Sequence, residues 1–310
     1  MSNERQAALA GGDVSETRGR QRIGPDRTEG RQSMISRLPG AVVRAMIVVL
    51  LISTPSLLLA DTSPDTRLVT ALIAFVAAVF TAIEYNAAAP SLIAFRDAPP
   101  FNRMRIGSLF ATVFALTVIM RGQSDPSTIT RLFEAIGGDL ARAMDFPYSP
   151  VRLVVLMMPQ GTDPAVLATV RIAAGLSYFV SILTLGAFVL LLRLRGWPGR
   201  AGHFNVWVNL PVFDPTAGDD VVDRLRHNAQ VNLIVGFLLP FMIPAIVEMA
   251  TILVDPQRLA DPHTLIWTMT AWAFLPASLL MRGIALNRVA DMIHAQRRRA
   301  HADEGDLAHA

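Results

Sequence analysis

Residues 230–254, QVNLIVGFLLPFMIPAIVEMATILV, are an apolar run long enough to cross a bilayer as a single helix. Two prolines interrupt it. Pro240 and Pro244 each lack a backbone donor, so the carbonyls of Gly236 and Pro240 lose their usual helical partners. Spacing by four keeps Gly236, Pro240, Pro244 and Glu248 near one side of the helix, drifting roughly 40° per step. A broken helix survives in lipid only where protein or trapped water supplies the missing hydrogen bonds. Glu248 adds a further cost, because a carboxylate in the hydrocarbon must be paired, protonated or wetted. This segment is therefore expected at the centre of a helical bundle.

Five further stretches of similar character surround it. Together they predict an all-α membrane protein with six transmembrane helices at about 41–60, 67–89, 104–120, 167–192, 230–254 and 263–285. The first can also be read from Met34 as a signal peptide, but Leu58, three residues before Asp61, is a poor fit to a cleavage site, and a retained anchor is expected. Residues 1–39 carry seven arginines and few apolar side chains, which predicts a disordered cytoplasmic tail, and 287–310 form a second cytoplasmic tail that continues from the sixth span as a basic, weakly amphipathic helix and frays into a polar end. The transmembrane domain occupies 40–286 and has two long connections, 121–166 outside and 193–229 inside. HFNVWVNLPVF (203–213) alternates like a short strand.

Arginine tests this topology. All 28 basic residues are arginine, and 21 of them fall in the tails, the 95–105 turn, the 193–229 loop and the flanks Arg44 and Arg282. Only Arg67, Arg121, Arg131, Arg142, Arg152, Arg171 and Arg258 lie on the other side. Six spans in a bacterial-type inner membrane, both termini cytoplasmic, satisfy the positive-inside rule.

The outer connection holds an amphipathic helix, started by Asp125-Pro126-Ser127. Ile129, Leu132, Phe133, Ile136 and Leu140 recur at helical spacing opposite Arg131, Glu134, Asp139 and Arg142, and form a candidate partner surface. PVRLVVLMMP (150–159) is apolar but too short to span. It is expected as a re-entrant piece, a short strand or a second docking surface.

Several chemistries are absent from the composition. Without lysine there is no Schiff base and no P-loop lysine; without cysteine there is no thiolate nucleophile or iron–sulfur ligand. The six histidines fall in expected loops or tails, which argues against histidine-ligated haem within the bilayer. Asp214, Asp219, Asp220 and Asp223 read as a helix start rather than a divalent-ion site. Pairing Ser177 with His263, as an intramembrane serine protease would require, fails because the two should differ in depth by about 10–15 Å. No cofactor, metal or nucleic acid is expected.

Depth matching supplies the remaining candidates. Arg44, Glu84 and Arg282 all lie near the inner ends of their spans, about 10 Å from the midplane. Arg171 and Glu248 match on the outer side. Two ion pairs, one per leaflet, would remove most of the penalty of carrying these groups in lipid. The expected function is a non-enzymatic accessory, scaffold or assembly subunit, in contact with the lipid bilayer and with a protein partner or a second copy of itself. The alternative is a small-solute or ion transporter whose pathway is lined by Asn232, Glu248 and the broken fifth helix.

Overall fold

A computed structural model describes residues 27–87, 91–96, 98–198, 209–210, 220–249 and 259–308. These residues form eight helices and no strand: α1 (Arg27–Leu58), α2 (Pro64–Asn86), α3 (Phe101–Ser124), α4 (Thr128–Met144), α5 (Pro150–Leu156), α6 (Pro164–Arg195), α7 (Val221–Met249) and α8 (Pro262–Ala308). Six of them, all but α4 and α5, are long and apolar enough to cross a membrane.

Local chemistry sets most of the boundaries. α2, α5 and α6 begin alike, with a side-chain cap from Ser63, Ser149 or Asp163 followed by proline at the first helical position, where its missing N–H costs nothing. Ser127 and Thr130 exchange hydrogen bonds at the start of α4. Gly196 ends α6 in the left-handed conformation, φ 59°, with its N–H on the last carbonyls. Each expected span falls within or beside one of these helices. The 203–213 alternation lies almost wholly outside the described residues, as do residues 250–254 of the fifth span.

One helix outruns expectation and another carries the expected continuation further than the sequence suggested. α1 starts at Arg27, well before Ala41, and α8 continues for 47 residues to Ala308. At 1.5 Å per residue α8 is about 70 Å long, more than twice a hydrocarbon core of about 30 Å. Its far end is not solitary. The first turns of α7 run alongside it, joined by Arg226–Asp291 and by Arg297, which donates to both oxygens of Asp220 at 2.8 and 3.0 Å. The Asp220 carboxyl is held below its ordinary pKa, first by the Val222 N–H it accepts and then by Arg297.

Two hydrophobic clusters fill the bundle, one towards each end. At the arginine-rich end, Phe95, Phe101, Phe188 and Trp197 pack in tilted and edge-on contacts beside Leu192, Leu225, Leu286 and Val289. At the opposite end, α5 wedges between α6 and α7, where Val151 and Val154 join Leu116, Ile119, Val170, Ile266 and Trp272. The 150–156 segment is thus mostly internal: Pro150, Val151, Val154 and Val155 are buried and only Leu156 is well exposed. It offers no continuous docking face.

α7 does not occupy the bundle centre expected of it: it packs on α8 and α5, only 17% of its span is covered, and α8 is the helix most enclosed, but the α7–α8 contact is the most extensive and is close. A Cβ on Gly236 would stand 3.0 Å from the Pro276 carbonyl, and one on Gly283 would stand 2.9 Å from the Ala229 carbonyl. Small residues here let two backbones meet, the usual basis of helix association in lipid. In contrast, α2 packs chiefly on α1, and only Thr70, Ala74 and Glu84 of it are buried.

Candidate functional site

Protein supplies one of the two donors missing at the break in α7. Gly236, Pro240 and Pro244 are all buried. Pro244 frees the Pro240 carbonyl, and the indole N–H of Trp272 on α8 donates to that oxygen at 3.2 Å. The aromatic side chain thereby replaces the missing helical donor, as the bilayer demands. Leaving the carbonyl unpaired should cost about 1–3 kcal/mol. Trp272→Phe is therefore expected to unfold at lower temperature in detergent than Trp267→Phe, which removes the same volume from the same helix. Equal losses would mean that the hydrogen bond contributes nothing.

Glu248 stands in the last turn of α7, exposed, with no hydrogen bond or ion pair to a described residue. Arg171 does not reach it. Its Nε lies 2.9 Å from Asp145, whose other carboxylate oxygen is 2.9 Å from Arg152 Nε. Asp145, 9% exposed, thus bridges α5 and α6 just beyond the end of α4. Neither N–H is aligned as a hydrogen bond, so these are charge contacts.

Arg44, Glu84 and Arg282 are not joined by any ion pair among the described residues. Glu84, 7% exposed, accepts from the N–H groups of Ser91 and Leu92 at 3.0 Å and of Ile93 at 3.4 Å, and from the Ser91 hydroxyl. The carboxylate sits in a nest of backbone amides. Arg96 braces the same turn by donating to the carbonyls of Glu84 and Ala87 at 2.9 and 2.7 Å. Arg44 instead donates to the Gly40 carbonyl at 2.8 Å and lies over the Tyr85 ring, 4.5 Å from its centroid. Arg282 keeps a buried Nε without a hydrogen-bond partner.

On α4 the partner surface divides. Phe133 and Leu140 turn inward to the core, while Ile129, Leu132 and Ile136 remain exposed. The buried strip is centred on Thr130, Gly137 and Ala141, with an apolar flank on one side and Arg131, Glu134 and Arg142 on the other. One face on the bundle, one flank greasy and one charged is the pattern of a helix at a membrane–water interface.

The arginine-poor end also holds a pocket of about 240 Å³, lined by Asp61, Ser63, Met120, Ser124, Asp261 and His263. Beside it Ser56 Oγ lies 3.1 Å from His263 Nε2 and donates to Thr70 Oγ1 at 3.1 Å. Ser177 is fully buried elsewhere.

These features define a polytopic membrane protein with lipid-facing helices. No protein-family model, curated protein or solved structure matches the chain. Sequence reasoning missed Asp145, Trp272 and Arg105 as structural actors. Arg105 was assigned to a basic turn, but α3 begins at Phe101 and carries it one turn into a span.

Proposed function

We propose that this is a non-enzymatic scaffold or accessory subunit of a larger complex in a bacterial-type inner membrane, its arginine-rich end in the cytoplasm. The observation that carries this reading is the placement of the α1–α2 hairpin. Only 22% of the α1 span and 17% of the α2 span is covered by the rest of the chain, close to the 17% of α7 and against 56% of α8, and in the hairpin two adjacent helices are open together. Helix association in lipid depends on close packing, and a hairpin held along one side leaves long faces free for a second protein. The apolar flank of α4 extends the available surface.

A transport pathway has less support, because the break that would line it is filled by Trp272 and packed on α8. Extraction in native nanodiscs followed by native mass spectrometry tests the reading. A second protein is expected at fixed stoichiometry, retained by Glu248→Gln and released by Leu132→Glu with Ile136→Glu. Retention by the charged variant would remove α4 from the interface. A bare monomer whose solute uptake depends on Glu248 would replace the scaffold reading with transport.

A further inference from the structure

α4 crosses the bundle rather than running along it. From Gly137 to its C-cap Asp145 it covers about 12 Å, yet its close contacts with α6 all fall within Arg171–Gly175. A Cβ on Gly137 would stand 3.0 Å from Ile172, one on Gly175 would stand 2.5 Å from Ala141, and Arg171 Nε lies 2.9 Å from Asp145. The contact points do not advance along α6 as α4 proceeds. On α3 the same helix meets the last turns, with Gly122 against Thr130 and Ile119 against Gly137. Both crossings lie at one depth. A hydrocarbon core of about 30 Å takes about 20 residues of helix, and counting back from Arg193 in the last turn of α6 sets the far boundary near Ala173. Counting on from Arg105 in α3 reaches the end of that helix at Ser124. Two spans therefore place α4 at the membrane surface.

The flanks of α4 agree with that level. Thr130, Gly137 and Ala141 face the bundle, which leaves exposed Ile129, Leu132 and Ile136 on one side and Arg131, Glu134 and Arg142 on the other. With the axis lying across the spans, one flank faces acyl chains and the other faces water. The apolar flank is continuous with the lipid-facing side of α3, because Phe133 packs on Phe114, their ring centroids 6.2 Å apart, and Phe114 is 38% exposed. The turn after α4 adds aromatic surface. Phe146 is 52% and Tyr148 89% exposed, the latter held at φ 65°. Beneath them the turn is fixed: Asp145 meets Arg152 and Arg171, the Ser149 N–H donates to the Phe146 carbonyl at 3.0 Å, and the Ser149 hydroxyl caps α5 by accepting from the Arg152 N–H at 3.0 Å. Aromatic rings held outward at this depth match the belt that forms at headgroup level.

We propose that α4 and the Phe146–Tyr148 turn form an interfacial foot seated in the lipid leaflet at the arginine-poor end, with Ile129, Leu132 and Ile136 among the upper acyl chains and Phe146 and Tyr148 at headgroup level. The foot sets the height of the bundle in the bilayer. It also keeps Asp145, Arg152 and Arg171 at the membrane surface, where water reaches them, instead of in hydrocarbon. This inference does not rest on the scaffold reading, since a protein on α4 would replace lipid along the same flank.

The chain contains no cysteine, so single ones can be introduced and spin-labelled without a background signal. The purified full chain is reconstituted in vesicles of phosphatidylcholine and phosphatidylglycerol, and electron paramagnetic resonance measures how often each label collides with oxygen, which concentrates in acyl chains, and with a nickel chelate confined to water. Labels at Leu132→Cys and Ile136→Cys are expected to show an oxygen-to-nickel ratio at least ~fivefold above that at Arg131→Cys on the charged flank, as an apolar face sunk below the headgroups requires. Phe146→Cys should fall between them. Ratios at 132 and 136 equal to that at 131 would put the flank in water and overturn the proposal. Labels shielded from both reagents and broadened by a neighbouring label would assign the flank to a second copy, and overturn it equally. Two exposed flank sites keep the test decisive if one variant does not fold. Because the sample holds this chain alone, loss of a partner can produce none of these outcomes, and the scaffold reading stands or falls separately.

Discussion

Gly175→Val is expected to unseat α4 from α6 and to destabilise the protein by about 3 kcal/mol or more, the upper range for overpacking a close contact. The reason is backbone geometry. A Cβ at position 175 would lie 2.5 Å from Ala141 Cα, 2.9 Å from Ala141 Cβ and 3.2 Å from Ala141 N. A clash with the end of a flexible side chain can be relieved by a rotamer change, but here one helix backbone meets another. α4 must move as a body. Asp145 follows Ala141 by one turn, so the movement also draws its carboxylate away from Arg152 and Arg171, leaving two arginines short of their counter-charge. Gly186→Val on the same helix is the control, because nothing lies within 4 Å of its Cβ direction. Thermal unfolding in one detergent should separate the two variants by many degrees. If Gly175→Val is as stable as Gly186→Val, the α4–α6 contact is not a close one.

This contact illustrates what could and could not be read from the chain. The existence of six spans was legible, since it depends only on apolar length and on punctuation by Ser, Asp and Pro. The face each helix turns inward was not. On α4 the large apolar residues drew attention, yet close contact in a bundle is made by small ones, and the buried strip runs through Gly137 and Ala141 while Ile129, Leu132 and Ile136 lie on a flank. Depth matching had the same weakness. It shows that Arg171 and Glu248 can reach one level, but it says nothing of azimuth, and Arg171 meets Asp145 from a segment assigned to the outer loop. The continuation of α8 past the sixth span was legible, and only its end, RRRAHADEGDLAHA, read as fraying, stays helical to Ala308, its Ala, Arg, Glu and Leu being good helix formers. Trp272 carries no signal of its own in the sequence, and only its position opposite Pro240 gives its N–H a purpose.

The second large effect is expected at Glu84, where a charge matched by depth to arginines is satisfied by backbone. α2 has few contacts beyond α1, so its attachment to the bundle depends on the turn that follows it. That turn is held from both sides. Glu84 collects the amides of residues 91–93, and Phe95 anchors the turn in the aromatic cluster at 0% exposure, with its N–H on the Asn209 carbonyl at 2.6 Å. Phe95 has φ 56°, a left-handed conformation that costs roughly 1–2 kcal/mol for a non-glycine residue and persists because both contacts hold it there. Glu84→Gln keeps the shape but replaces one acceptor oxygen with a donor facing other donors. Hydrogen bonds to a charged group are worth about 1.5–3 kcal/mol, so the amides of Ser91, Leu92 and Ile93 should exchange with solvent deuterium roughly 10- to 100-fold faster. Exchange in α6 and in the α7–α8 pair should stay as it was, since neither touches the nest. Glu84→Asp, one methylene shorter, should fall between the two. Unchanged protection at 91–93 in Glu84→Gln would mean that the turn is held by Phe95 and Arg96 alone and that the carboxylate contributes nothing to it.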